Sequence, residues 1–249
     1  MCGEAISAFV PAPFACIQIP GGRVTLSGRG GYIVGSLTCD VKPFGIARYP
    51  ITNAQYELFL MADDGYKSGG WWQFSEEAAQ WYAGQTSTPL SYGAADHPRT
   101  HVTWYEAVAF CRWLSHRTGE NVRLPREVEW QLAAQGVDHR SFPWGDEWDS
   151  SRCHHNLEHN AIGTLPVQTF EGHGDSPYGV VDMIGNVWEW SLTGWFTGDD
   201  ALDGDSVRVL RGGSWFDDIQ SMFTVTARSG WNVDMASDLR GFRIAIDID

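Results

Sequence analysis

The stretch SPYGVVDMIGNVWEW, Ser176–Trp190, decides the fold. Its centre, DMIGNVWEW, sets Asp182 and Asn186 around Gly185 and closes on Glu189 between Trp188 and Trp190. Read alone, it is a tight turn in which Asn186 and Glu189 satisfy backbone donors. Trp188 and Trp190, with Trp215 beyond the later glycine turn, read as packing residues, because an indole buries much area and needs one partner for its N–H.

Upstream of this turn the chain has clear helix signals. Thr52 with Gln55 forms a capping box ahead of Tyr56, Phe59 and Leu60, and Thr103 with Glu106 forms a second ahead of Ala107, Phe110 and Leu114. Gly119 is a natural stop for the second helix, and LPREVEWQLAAQG predicts a third, ended by Gly136. The first fifty residues read as short strands, FACIQI, GGRVTL, GGYIVGS and VKPFGIARY. Asp63–Arg99 reads as an aromatic packed insertion with one short helix at Ser75–Trp81. From FPWGDEWD onward loops dominate, and the last sixty or so residues return to short strands and turns. The order predicts an α+β fold with high loop content, with no repeat or linker to divide it.

Composition narrows the function classes. With 249 residues, 43% of them hydrophobic, the chain has material for a sizeable core, and 28 Gly with 11 Pro fit many turns. A net charge of −14 argues against nucleic acid as a partner, since phosphates are neutralised by clustered Lys and Arg. Cys2, Cys16, Cys39, Cys111 and Cys153 are odd in number, scattered and never CxxC, so neither a disulfide framework nor a zinc knuckle is expected. No signal segment or membrane-length apolar run is visible. The expected setting is cytoplasmic and reducing, with no membrane insertion.

Seven stretches occur in a telling order: YPITNAQYELF, HVTWYEAVAFCRWLS, RLPREVEWQLAAQG, FPWGDEWD, SPYGVVDMIGNVWEW, VRVLRGGSWF and GFRIA. The set resembles the formylglycine-generating-enzyme (sulfatase-modifying factor) family from about Ile17 to the C-terminus. Any one motif is weak, but seven in sequence are specific. The resemblance implies an elaborated C-type lectin fold as one domain over 1–249. That family includes formylglycine generators, the C-terminal half of ergothioneine-type sulfoxide synthases, and non-catalytic binders such as the variable proteins of diversity-generating retroelements. Function must therefore be argued from the site.

The formylglycine reaction implied by the resemblance needs two cysteines shortly after the GGS turn, because soft thiolates hold copper. Phe216–Arg228 holds no sulfur but Met222, and Cys111 and Cys153 lie elsewhere. The sulfoxide-synthase reading implied by the resemblance needs iron held by histidines of an extra helical domain, which is not expected here. What remains for a metal-dependent oxidoreductase is a non-standard site at His154, His155 and His159, where a helix would set His155 and His159 on one face. A polar surface loop is the competing reading. Glu127 and Glu129 invite an acid/base role, but two residues apart on a helix they diverge, and acids in a first turn suit the helix dipole. Relatives carry Thr where Arg126 stands, which predicts a lost N-cap worth about 1 kcal/mol unless another group substitutes.

The resemblance also implies a structural calcium at the opening stretch, through Asp182, the carbonyls of Gly185 and Val187, and Glu189, a mixture of oxygens that calcium accepts. No redox cofactor is expected. For the C-terminal region, about 211–245, the expectation is display. Gly212 and Gly213 allow a tight turn, and Phe223, Val225 and Ala227 alternate with Thr224 and Thr226 as in a strand. Relatives usually carry Arg at 224, Pro at 233 and Arg at 236, so the interior departs while its flanks match. In the variable proteins this region is mutable. Met222, Trp231 and Met235 fall outside the residues that adenine-directed mutagenesis of an Asn codon yields, whereas most of the interior fits. The expected contact set is Phe216, Asp217, Ile219, Ser221, Thr224, Ala227, Ser229, Trp231, Asn232, Met235, Ser237, Asp238 and Leu239. Aromatics and methionine beside acids suit a protein ligand better than a sugar. Hence the chain reads as a non-catalytic ligand-binding protein with a hypervariable face.

Overall fold

Two capping boxes fix where the helical layer begins. A computed structural model describes residues 2–86 and 93–248. Chain order gives α1 (Glu4–Phe9), β1 (Cys16–Ile19), β2 (Gly22–Gly30), β3 (Ile33–Val41), β4 (Phe44–Ala47) and α2 (Asn53–Met61). There follow α3 (Glu76–Ala83), α4 (Trp104–Thr118), β5 (Val122–Arg123) and α5 (Glu127–Gln135). The chain closes with β6 (Trp188–Gly194), β7 (Val207–Arg211), β8 (Arg228–Asn232), β9 (Arg240–Gly241) and β10 (Ala245–Ile246).

Both predicted capping boxes form. Thr52 Oγ1 accepts from the Gln55 N–H while Gln55 Oε1 accepts from the Thr52 N–H, and Thr103 and Glu106 repeat the pattern. Gly119 ends α4 in the left-handed conformation at φ 74°. The helix expected at Ser75–Trp81 is α3, with Ser75 as its N-cap and an end two residues later. Of the insertion Asp63–Arg99, residues 87–92 lie outside the described residues. The remainder packs as expected: Trp72 is buried and stacks on Tyr82 with ring centroids 4.5 Å apart. Helix α1 has no counterpart in the sequence reading. It is six residues long, and Glu120 accepts from the N–H groups of Gly3 and Ala5 at its start.

Three sheets are present among the described residues: β1-β4-β10-β5, the hairpin β2-β3, and β8-β7-β6-β9. All pairings are antiparallel except β6 with β9. Strand β10 sits between β4 and β5, so the last residues join the first sheet. One core cluster gathers Tyr56, Phe59, Trp104, Phe110, Trp113 and Phe242 around α2 and α4. A second packs Trp130 and Leu132 of α5 on Ile19, Phe44 and Ile46 of the first sheet and also takes in Phe223 and Val225. Between α5 and β6 there is no helix or strand beyond a 3-10 turn at Ser150–Arg152, the loop-rich stretch the sequence predicts. No helix of the described residues is long and apolar enough to cross a membrane.

The cysteines correct one expectation. Cys2 and Cys16, fourteen apart, are joined by a disulfide that ties α1 to β1, with Cα atoms 5.8 Å apart. Sequence spacing missed it because helix α1 folds the chain back onto β1. Cys39, Cys111 and Cys153 are free, and burial pushes the thiols of Cys111 and Cys153 up, away from reactivity.

Candidate binding face

The C-terminal region starts from a buried hinge. Gly212 and Gly213 have φ of 105° and 79°, and a Cβ on either would lie 2.9 Å from a carbonyl oxygen, that of Met183 or Met222. Only glycine fits such backbone contact at positive φ. Ser214 is buried, and its N–H and hydroxyl both donate to Asp217 Oδ2, at 2.7 and 2.8 Å. Trp188 Nε1 donates to the same oxygen at 2.8 Å. Asp217 is thus a structural acceptor, and its carboxylate is not a free contact group.

Beyond the hinge, Phe223 and Val225 are fully buried, but not in the strand expected over 223–227. Residues Gln220–Phe223 form a 3-10 turn, a further turn follows, and strand β8 begins only at Arg228. Alternation there reflects two apolar anchors with hydroxyls between them: Val225 N–H donates to Ser141 O, and Thr224 and Thr226 hydroxyls meet at 3.2 Å. The return is pinned as well. Trp104 N–H donates to Val233 O and Val233 N–H to Ser206 O, both at 3.0 Å. The proline that relatives carry at 233 would lack that second donor. Leu239 O accepts from Trp188 N–H, Ser237 O from His101 N–H, and Asp238 O from Trp215 Nε1.

The expected contact residues hang on this pinned main chain, and none of the thirteen is buried. Phe216 (58% exposed), Ile219 (52%) and Met235 (46%) are the most open apolar side chains among them. Two groups are drawn together. Phe216 stands edge-on to Trp215, which reaches the Asp238 carbonyl. Trp231 lies under the Arg240 guanidinium at 3.8 Å, while Asn232, Met235 and Arg240 bond within one turn. Burial draws the Arg240 pKa down to about 10. Ile219 and Ser221 lie at the 3-10 turn, and Thr224, Ala227, Ser229, Ser237 and Leu239 are half-buried. Trp190 is fully buried, whereas Trp188 and Trp215 are half-buried.

A buried ion-pair system fastens β7 and β8 to α5. Glu127 binds Arg211 at 2.7 Å, Arg228 at 2.8 and 2.9 Å, and the Tyr32 hydroxyl at 2.8 Å, with all three charged side chains at most 4% exposed. Burial opposes its ionisation, but the two guanidiniums win and hold the carboxyl below its usual range. Glu129 points elsewhere, to Arg123 and Arg126. The pair therefore diverges as expected, and each acid is consumed structurally. The missing N-cap of α5 is replaced from outside: Thr193 Oγ1 on β6 accepts from the Glu127 N–H at 3.0 Å and donates to Asp200. Sequence reading did not find Thr193, Arg228 or Arg243, whose roles arise from contacts more than fifty residues away.

At the turn Asp182–Glu189, Asp182 and Asn186 both adopt positive φ, 58° and 61°. Asp182 Oδ2 accepts from Asn186 Nδ2, while Oδ1 is buried with no partner, and desolvation raises the pKa to about 7. That orphaned oxygen suits a cation or a proton. Glu189 is differently placed. Arg243 binds both its oxygens at 2.7 Å, and Trp130 Nε1 adds a third bond. The Gly185 carbonyl accepts from Val187 N–H. So Asp182 fits a calcium ligand, and Glu189 is already neutralised.

The histidines do not converge. Residues 154–160 form turns rather than a helix, His154 Nε2 donates to Gly163 O, and His155 uses both nitrogens on backbone groups of Ser150 and Leu157. Among the described residues no group of three or more His, Cys, Asp or Glu is arranged to hold a metal.

Helices α2 and α4 against a sheet closed by the C-terminal strand, with long pinned loops beside β6–β8, define the C-type-lectin-like architecture of formylglycine-generating-type proteins. The chain belongs to the sulfatase-modifying factor family: the sulfatase-modifying factor enzyme 1-like domain matches residues 10–248. It is 30% identical to the inactive C-alpha-formylglycine-generating enzyme 2 of Bos taurus, over 92% of this chain and 87% of that one. It is 28% identical to the formylglycine-generating enzyme of Streptomyces coelicolor, over 94% and 89%. Among solved structures, PvdO from Pseudomonas aeruginosa matches with TM-score 0.71 and 21% identity, covering 94% of each chain. Treponema denticola variable protein 1 matches with TM-score 0.69 and 20% identity, covering 94% of this chain and 95% of that one. These two show a shared fold.

Proposed function

We propose that the chain is a non-catalytic binding module that presents the region 211–245 to a protein ligand, with hypervariable positions as in variable proteins of diversity-generating retroelements. One observation carries the reading. The main chain of this region is hydrogen-bonded inward at Val225, Val233, Ser237 and Leu239, while its thirteen expected contact side chains stay unburied, and of these Asp217 is held by Ser214 and Trp188 as part of the hinge. Such a loop tolerates side-chain exchange without losing its path. The same span carries no thiol or imidazole. The test is the coding neighbourhood: a near-identical repeat of the last coding stretch beside a reverse transcriptase, with differences confined to the contact set. Absence of both removes the hypervariable version.

A second reading, a metal-dependent oxidoreductase with a non-standard site, is supported by relatives named as enzymes at about this level of identity. Stoichiometric copper or iron in the purified protein would favour it over the first.

We also assign calcium to the Asp182 turn as a structural ion, with Asp182 and the carbonyls of Gly185 and Val187 as donors and Glu189 contributing only if Arg243 yields. Calcium at a hundredfold excess over its Kd should stabilise the protein by about 2.7 kcal/mol. An unchanged Tm in calcium, or a shift that survives Asp182→Asn, refutes the assignment. A cytoplasmic location is the matching expectation, and thiol counting after rapid trapping in cells tests it. Once the trapped protein is denatured without reductant, all five cysteines react if it came from a reducing compartment, whereas three react where Cys2–Cys16 persists.

A further inference from the structure

A groove of about 520 Å³ runs between α3 and the turn that follows β8, lined by Glu77, Gln80, Trp81, Tyr105, Asn232 and Asp234 among others. It shares Glu77, Tyr105 and Ser206 with a smaller inner pocket of about 60 Å³ that reaches Trp104 and Arg208. The volume is of ligand-site size. Two aromatic rings line it, Trp81 and Tyr105, 5.6 Å apart, with the fully buried Trp104 behind Tyr105 at 5.9 Å. Its rim carries two exposed carboxylates, Glu77 and Asp234, neither of which makes a hydrogen bond or ion pair among the described residues. At the inner end Arg208 is 1% exposed, lies 4.1 Å over the Trp104 ring, spends Nη1 on Leu192 O, and leaves Nε without a partner.

We infer that this groove receives a lysine or arginine side chain from a peptide segment of the protein partner. Two unpaired carboxylates beside the half-buried Trp81 ring attract an organic cation through charge and cation–π contact, and the ring covers its aliphatic stem. A calcium ion would need six to eight oxygens, which this wall does not offer. The buried guanidinium of Arg208 lines the inner pocket, so positive charge lies behind the carboxylate rim and the groove is polarised. The Tyr105 hydroxyl registers that polarity: burial raises its pKa most, Glu77 and Asp234 raise it further, and Arg208 opposes them. The backbone beneath is fixed by the Trp104–Val233 and Val233–Ser206 bonds, so the rim is preformed.

The inference rests on the binding-module reading and adds the partner's chemistry. Its test is a titration of the full chain with N-acetyl-lysinamide, N-acetyl-argininamide and the neutral N-acetyl-norleucinamide, followed by NMR at the Trp81 indole N–H. The basic probes should give a saturable shift and bind at least about tenfold more tightly than the neutral one, and Glu77→Gln with Asp234→Asn should weaken them by about tenfold. Both substitutions are at exposed positions, so the fold is retained. Equal binding of the neutral probe, no shift with either basic probe, or unchanged affinity in the double variant overturns it. Failure of the display reading looks different: a partner still bound after Phe216 and Met235 are changed, whatever the probes do.

Discussion

Replacing Glu127 by Gln leaves the shape of α5 intact and strands two cations. In the wild-type protein the Glu127 carboxylate neutralises Arg211 and Arg228 and accepts from Tyr32, with both guanidiniums essentially buried. Arg211 also binds Gln131 and the Val225 carbonyl, and Arg228 lies 4.5 Å from the Trp195 ring centroid. Neither can swing to water without breaking these contacts. Removing one partner of a buried pair costs about 3–5 kcal/mol, because an uncompensated charge remains. Against a domain stability of about 5–15 kcal/mol, that is a large fraction. Urea unfolding followed by tryptophan fluorescence should show the midpoint falling with little change in slope. Arg228→Met placed in the Glu127→Gln background should recover part of the loss, giving a measurable coupling. The acid limb tests the same charge. Since Glu127 is held below its usual pKa, its contribution is complete above the unfolded-state value of about 4.3 and is lost as pH falls through the lowered folded value. Glu127→Gln should therefore flatten the decline below about pH 4. A loss under about 1 kcal/mol, or an unchanged acid limb, would refute the view that this carboxylate is a structural tie.

Three further outcomes are expected. Thr193→Val should cost about 1 kcal/mol in urea unfolding, as the N-cap of α5 is lost, and Arg126→Thr in that background should restore part of it. Gly185→Ala should cost about 2–3 kcal/mol, read as a lowered Tm, because its Cβ would meet the His154 carbonyl oxygen at 2.3 Å with φ at 78°. Alanine at Phe216, Ile219 or Met235 should move stability by no more than about 0.5 kcal/mol while weakening capture of the partner, measured by surface-bound affinity.

What the sequence disclosed follows the range of the interactions involved. Capping boxes at Thr52 and Thr103 act over three residues, so they are written locally and the structure repeats them. The glycine stop at Gly119 is equally local. The motif order, carried by resemblance, supplied the fold that periodicity alone left at α+β. Local alternation misled at 223–227, since Phe223 and Val225 are apolar anchors of a loop whose depth is set by Ser141 and Arg211. The substitute cap from Thr193 and the clamp on Glu127 span 66 to 101 residues and leave no local pattern. The groove beside the C-terminal region was hidden for the same reason. Glu77 and Trp81 belong to the insertion, Tyr105 to α4 and Asp234 to the C-terminal turn, and only the fold brings them together.

The placement of the buried arginines explains how the C-terminal region keeps its path. Arg211 stands just before the hinge, Arg228 at the first residue of β8, and Arg243 just after the return, so a charged anchor marks each point where the region leaves or rejoins the core. Each is paired with an acid on a different element, Glu127 on α5 or Glu189 on β6. Buried pairs of this kind contribute little net stability over apolar packing, but an alternative register would leave charges unpaired at a cost of several kcal/mol. They thus select one path for the chain more strongly than they stabilise it. Between the anchors, exchange at exposed positions such as Phe216, Ile219, Asn232 or Met235 touches none of these pairs. The register of the fold is thus left to buried residues that substitutions at these exposed positions do not touch.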